Sequence, residues 1–315
     1  MTMLEEILTR FPVRKSRGQK EAFRCWAVER VEALGFTAKV EMAKLLGVNH
    51  NLVIGDPETA EIIVTAHYDT PANMPLPNFI TPRNVPVYLV YQVALVLLLA
   101  VPAVAAGMAV YAWLEVFLAA YWTGFAVYMA LLLLLMLGPA NPHNANDNTS
   151  GVAAVMSLLA RVPEDERGKA AFILFDNEEK GMLGSAAYAK NHKRVKQEKL
   201  LINLDCVGVG ESILFFAPKK VRELPLWQQL QQAVTPRTGK TVAFYPMEKA
   251  LYPSDQANFT HGVAVCACRR HSVLGEYCSR IHTRKDILCD PACLEVITAG
   301  LADMIGALQH TKEEL

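Results

Sequence analysis

The sequence has no net charge: 31 Lys and Arg balance 31 Asp and Glu over 315 residues. A nucleic-acid binder would show a basic surplus, so that class is excluded. Charge is also sparse, at 20% of residues against 52% hydrophobic, which rules out a disordered chain. There is no internal repeat, low-complexity tract or long linker. Seven cysteines cannot all pair within one chain, and at this length they do not read as a disulfide framework. The first twelve residues contain Glu5, Glu6 and Arg10 and no apolar run, so no cleavable signal peptide is expected.

Charge is missing above all from one stretch. Between Arg83 and His143 the only formally charged residue is Glu115, which accounts for a mean hydropathy of +0.19. A bilayer crossing needs ~20 apolar residues in a helix, and two such lengths fit, at 87–108 and 116–137. Gly107 and Glu115 are expected to mark the turn between them. Tyr88, Tyr91, Tyr111, Trp113, Tyr121, Trp122 and Tyr128 include several near the expected helix ends, where amphipathic rings favour the interface. Pro102 would kink the first helix, which membrane helices tolerate. The competing reading is a hairpin buried in a soluble core, or an apolar dimer surface. Core helices are rarely apolar on every face for this long, which favours the bilayer.

Two crossings return the chain to its starting side. Residues 1–84 and 139–315 are therefore expected to form one discontinuous domain, interrupted by a membrane hairpin at 85–138. The hairpin tip carries no Lys or Arg while the flanks do, which orients the domain toward the cytoplasm of a cell membrane. Free cysteines suit that side. The run Lys193-Arg194-Val195-Lys196 reads as a solvated helix end in preference to a contact with anionic lipid.

The flanking segments read as an α/β domain. Helices are expected at 20–34, 150–160, 182–191 and 291–308. Strands are expected at 61–66, 170–175, 200–204, 213–217 and 263–268. The alternation predicts a mostly parallel central sheet flanked by helices.

Polar residues gather where those strands end. His67-Tyr68-Asp69 follows the first, and strand alternation points His67 and Asp69 to one side. A carboxylate so placed can fix the histidine tautomer and aim the other nitrogen at a metal. Asn146-Asp147-Asn148-Thr149-Ser150-Gly151 enters a helix; alone it reads more simply as a capped helix start, with Asp147 or Ser150 as the cap. Asp176-Asn177-Glu178-Glu179 follows a buried run, where adjacent carboxylates are costly unless a cation or solvent receives them. Asp205 emerges from Leu200-Leu201-Ile202, and Ile281-His282-Thr283-Arg284-Lys285-Asp286 is a polar loop. Ligands in open α/β sheets collect beyond the carboxyl ends of strands. Nitrogen and oxygen donors without thiolates suit zinc, with manganese or cobalt as substitutes.

This ordered set resembles the co-catalytic di-zinc aminopeptidase family, which includes bacterial leucyl-type aminopeptidases and has glutamate carboxypeptidase as a relative. The likeness extends to Pro12-Val13-Arg14, Asn51-Leu52-Val53-Ile54, and Ser254-Asp255-Gln256 with Phe259. It implies a zinc exopeptidase fold and a peptide substrate. It implies that His67 and Asp205 hold one zinc, that Glu179 and His282 hold the other, and that Asp147 bridges them. The Asp147–Asn148 bond is then expected to be cis, Asp69 to orient His67, and Glu178 to be the general base. The implied chemistry is hydrolysis by a water whose pKa the ions lower toward ~7, with Glu178 moving its proton to the leaving amine. Tyr252 is a candidate hydrogen-bond donor to the oxyanion, with ring packing as the equal alternative. The hairpin departs from the family pattern, which has a short loop there. The alternatives are a catalytically silent membrane scaffold on the same fold, and a zinc-dependent glutaminyl cyclase.

Cys266 and Cys268 share a strand face, and Cys289 and Cys293 lie four apart. Reduced, partly buried thiols are the plainer reading and a third zinc site the bolder one. His192, His261, His271 and His310 have no paired motif and read as surface or loop residues.

Overall fold

The computed structural model describes residues 1–308, and His310 lies outside them. Ten strands form one sheet: β1 (Ala38–Lys44), β2 (Val48–Ile54), β3 (Ile62–His67), β4 (Phe79–Ile80), β5 (Ala170–Phe175), β6 (Leu200–Leu204), β7 (Ser212–Ala217), β8 (Thr241–Pro246), β9 (Gly262–His271) and β10 (Gly275–Ser279). The helices before the third motif are α1 (Met3–Arg10), α2 (Arg17–Ala33), α3 (Val85–Leu114), α4 (Phe117–Leu137) and α5 (Ser150–Leu159). Those after it are α6 (Leu183–Asn191), α7 (Lys193–Glu198), α8 (Lys219–Arg222), α9 (Pro225–Ala233) and α10 (Pro291–Ala307).

The main path of the sheet is β1-β2-β5-β3-β6-β9-β10-β4, with β7 joining β9 and β8 joining β7. Its centre is parallel: β5, β3, β6 and β9 run the same way. Around that centre β2, β7 and β10 attach antiparallel, so the sheet as a whole is mixed. The chain turns from β1 to β2 within Lys44–Val48, and a turn that short permits only antiparallel pairing.

Every residue of β3, β5 and β6 is buried, which is why these strands are mostly apolar, broken only by Thr65 and His67 in β3 and Asn203 in β6. Their side chains alternate between two cores. On one face Ile62, Val64, Phe172 and Ile202 pack with α2, α5 and α10; on the other Ile63, Ile173 and Leu201 pack with Tyr188 of α6 and Val195 of α7. The first turn of α2 is set by a capping box between Ser16 and Gln19, which starts the helix three residues ahead of its apolar pattern. In α7 the Lys193–Lys196 run is exposed apart from Val195. His192 lies in the junction between α6 and α7 and is partly exposed, as expected of a loop residue. Its ring nitrogens face Glu41 at 2.6 Å and Glu58 at 3.3 Å, and the ring stacks on Tyr188 at 4.1 Å.

The hairpin of α3 and α4 is apolar and outward-facing. Only 17% and 6% of their most apolar windows is buried, which excludes a hairpin folded into a soluble core. The helices touch through small residues. A Cβ on Gly107 would lie 2.9 Å from the Ala120 carbonyl oxygen, and one on Gly124 would lie 3.1 Å from that of Ala103. Gly107 is thus a helix contact and not part of the turn, which falls at Glu115 with φ 55°. At the hairpin base the entering and leaving strands of chain run side by side. Asn73 N–H donates to the Pro139 carbonyl at 2.7 Å and Asn141 N–H to that of Pro71 at 2.9 Å.

Candidate metal centre

The parallel direction of β3, β5 and β6 brings three of the polar segments to one edge of the sheet. His67 is the last residue of β3, Asp176 follows β5, and Asp205 follows β6. Asp147 arrives from the segment before α5. Gly151 allows that approach: a Cβ there would lie 2.4 Å from the Leu204 carbonyl oxygen. The Asp147–Asn148 bond is cis, as the resemblance implies. Asp147 and Ser150 do not cap α5, which has no side-chain cap bond.

The Asp147 carboxylate lies between two imidazole rings. Its Oδ1 is 3.4 Å from His67 Nε2, and its Oδ2 is 3.0 Å from His282 Nε2. His67 Nε2 is also 3.7 Å from Asp205 Oδ1, and His282 Nε2 is 3.3 Å from Glu179 Oε2. Two donor groups therefore share Asp147: His67, Asp147 and Asp205, and Asp147, Glu179 and His282, each with its donor atoms within 4.8 Å of one another. Glu178 Oε2 lies 4.0 Å from His67 Nε2.

Asp69 does two things. Its Oδ1 is 3.5 Å from His67 Nδ1, on the side of the ring away from Asp147. The same carboxylate accepts the backbone N–H groups of Glu178 at 3.0 Å and Glu179 at 3.3 Å, which ties the glutamate turn to the histidine.

The donors fit a cation. Both nitrogens of His67, Glu179 Oε1 and Asp205 Oδ1 are buried with no hydrogen-bond partner, a costly state that a metal relieves. The charge balance agrees. Burial raises Glu178 well above the usual carboxylate range, with Glu179, Asp205 and Asp255 adding to it. Burial likewise pushes Glu179 up to about 8, reinforced by Asp147. Burial opposes a charge on the histidines, but the carboxylates outweigh it. They hold His67 well above the ordinary value and push His282 up to about 9. For Asp147 the two rings overcome burial and keep it below its usual range. Carboxylates and imidazoles here neutralise one another by sharing protons, the task a divalent cation performs when bound.

Every sequence-predicted residue lies at this centre except that Tyr252 has a different employment. Its hydroxyl is buried and donates to the Asp205 backbone carbonyl at 3.0 Å. That bond supports the end of β6, and the ring stacks on Phe216 with centroids 6.4 Å apart. Two residues were not foreseen in their roles. Asp286 is buried and accepts the N–H of Asn146 on Oδ1 at 2.9 Å and that of Asp147 on Oδ2 at 3.0 Å. Arg14, fully buried, donates to the Phe11 and Tyr68 carbonyls, Asn144 and Thr149, joining the amino-terminal segment to both site loops. Burial pushes its guanidinium down to about 10 against the pull of Asp69.

The cysteines are not among the donors of this centre, although Cys206 directly follows Asp205. All seven are free, and Cys266 Sγ lies 3.7 Å from Cys268 Sγ within a buried cluster. Among the described residues no candidate metal group includes one.

A family model described as Peptidase family M28 matches residues 130–303, a span holding Asp147, Glu178, Glu179, Asp205 and His282. No curated protein matches. Among solved structures, a Zn-dependent exopeptidase from Parabacteroides distasonis is similar at 16% identity and a TM-score of 0.61, covering 97% of this chain and 96% of that one. A glutaminyl cyclase from Porphyromonas gingivalis matches at 14% identity and 0.59, covering 96% and 95%. The LapA aminopeptidase of Legionella pneumophila matches at 14% and 0.54, covering 96% and 69%. At these identities the likeness is one of fold.

Proposed function

The chain belongs to peptidase family M28, and on that premise we propose that it is a membrane-anchored zinc aminopeptidase, cleaving the first residue from peptides. The observation that carries this reading is the Asp147 carboxylate, with one oxygen toward each of two histidines and a further carboxylate beside each ring. In this reading His67 and Asp205 would hold one zinc ion, Glu179 and His282 would hold a second, and Asp147 would be shared by both. Manganese or cobalt could replace zinc at such nitrogen and oxygen donors. When bound, the ions supply a water acidic enough to ionise near neutral pH and polarise the scissile carbonyl.

The chain's own residues do the rest. Asp69 aligns the His67 ring and, through its two backbone bonds, the turn that presents Glu178. Glu178 accepts the proton of the attacking water and delivers it to the leaving amine. Burial, which favours its protonated form, suits a group that must hold that proton between the two transfers. The carboxylates around the second ion receive the substrate's free α-amino group, which limits cleavage to the first residue. Residues 1–84 and 139–315 form the peptidase domain, and residues 85–138 cross the bilayer twice. The tip, which carries no Lys or Arg, and the basic residues of the flanks support a cytoplasmic domain.

The test is metal analysis and a panel of aminoacyl reporters on detergent-purified protein, repeated with Glu178→Gln. The expected result is bound zinc in both proteins and a loss of ~10²–10⁴ in kcat for the variant. Unchanged activity in the variant, or no bound metal in the wild type, overturns the reading. Cyclisation of amino-terminal glutamine without hydrolysis of any reporter replaces it with a cyclase. Bound zinc without turnover of any substrate replaces it with a silent scaffold.

A further inference from the structure

A pocket of about 600 Å³ opens one residue away from His282, outside the donor set. One wall is the 73–79 segment that leads into α3, and the other is the 274–285 segment. Arg280, Arg284 and Lys285 line it, and no carboxylate does. All three are exposed, and among the described residues none is engaged in an ion pair, whereas nearby Arg83 is paired with Glu276. Three unopposed cations around one cavity attract an anion. The remaining lining is largely apolar, with Leu76, Phe79 and Leu274.

Tyr91 of α3 holds the 77–79 wall of the pocket. Its hydroxyl donates to the Pro77 carbonyl at 2.9 Å, lies 3.1 Å from Asn78 Oδ1, and its ring lies 4.4 Å from that of Phe79. Gly107 faces Ala120 and Gly124 faces Ala103, so each step back along α3 is a step forward along α4. At that register Tyr91 is level with Met136, the penultimate residue of α4, where Lys15 Nζ donates to the Met136 carbonyl at 3.0 Å. A tyrosine and an ammonium at the same level mark the boundary between hydrocarbon and headgroups. The pocket wall is pinned to that boundary.

We infer that this pocket binds the headgroup of an anionic phospholipid. Arg280, Arg284 and Lys285 hold its phosphate, and Leu76, Phe79 and Leu274 meet the glycerol and the first chain carbons. A soluble phosphate or an acidic peptide offers the same charge, but neither requires an apolar wall at this depth. The inference rests on the reading of α3 and α4 as bilayer-spanning.

The test uses full-length protein with phosphatidylcholine vesicles, alone or mixed with phosphatidylglycerol. Flotation with vesicles reads anchoring, and native mass spectrometry from mixed nanodiscs reads the lipid retained. The expected result is flotation with both vesicles and enrichment of phosphatidylglycerol on the wild type. Arg280→Gln with Arg284→Gln floats equally but binds that lipid roughly 30-fold more weakly, and Arg280→Lys with Arg284→Lys restores it. Flotation without enrichment, or enrichment that survives the Gln pair, overturns the pocket and leaves the anchor standing. Arginine-dependent binding of inorganic phosphate in detergent with no lipid enrichment overturns the lipid assignment. So does a variant whose only defect is a raised KM for acidic peptides in pure phosphatidylcholine. A protein that floats with neither vesicle overturns the anchor and the lipid site together.

Discussion

Replacing Asp286 with Asn removes one of the two acceptors that hold the backbone on which Asp147 rides. Asp286 accepts the N–H groups of Asn146 and Asp147, one on each oxygen. An Asn keeps one carbonyl oxygen and turns its amide nitrogen toward the other N–H, so a buried donor loses its partner and faces a second donor. Leaving a buried donor unsatisfied costs about 1–3 kcal/mol, and a bond to a charged group contributes about 1.5–3. The expected loss is about 2–4 kcal/mol of stability, or roughly 5–10 °C in Tm. Because Asp147 faces both histidines, its displacement also weakens both donor groups, and zinc affinity is expected to fall ~10–100-fold. The assay is competition with a chromophoric chelator, beside melting of the metal-free protein. Burial and the Asp147 charge push Asp286 up to about 7, so the melt is read well above that pH, where its carboxylate accepts both bonds. A variant with unchanged zinc affinity refutes the reasoning, whatever its Tm.

Tyr252→Phe should lower stability by about 1 kcal/mol and change kcat only a few-fold, since the lost bond is to the Asp205 carbonyl. A loss of ~10²–10³ in kcat would instead make Tyr252 an oxyanion donor. Lys20→Met strips the ammonium that lies 2.6 Å from Asp176 in a buried pair and should cost about 3–5 kcal/mol by denaturant titration; a loss below 1 kcal/mol would show that the carboxylate finds another partner. Burial pushes Asp255 up to about 7 in the metal-free protein, against about 3.9 for an unfolded Asp. The folded chain therefore holds the extra proton between those values, and its stability falls as pH rises through that window. Asp255→Asn removes this fall, so in metal-free protein it should gain on the wild type between pH ~4 and ~7. A pH-independent difference in denaturation midpoint would contradict that.

Much of the centre was legible in the chain because of how its strands are buried. β3, β5 and β6 are covered on both faces, so each is dominated by apolar residues, and the polar segment at its end stands out. His67, Glu178, Glu179 and Asp205 were found this way. β1, β8 and β10 were not, because they are partly exposed and their mixed patterns resemble loops. Gly107 was misassigned to the turn because glycine has two uses, permitting a left-handed backbone and permitting close approach. The two look identical in a sequence, and here the second applies. Asp286 and Arg14 were quoted in the motifs without a role, because their partners are mostly backbone groups, which no sequence names.

The kinds of donor, their order along the chain, the α/β alternation and the presence of two bilayer-length apolar segments are properties of the sequence alone. They follow from local composition and from which side chains tolerate burial. Which rings share which carboxylate was decided by tertiary structure. Three parallel strands end at one edge, α5 closes onto β6 over a glycine, and the 281–286 loop folds back until Asp286 grips the Asp147 backbone. Tertiary packing also determined that the hairpin base and the His282 loop are neighbours, since hydrogen bonds between residues far apart in the chain hold them together.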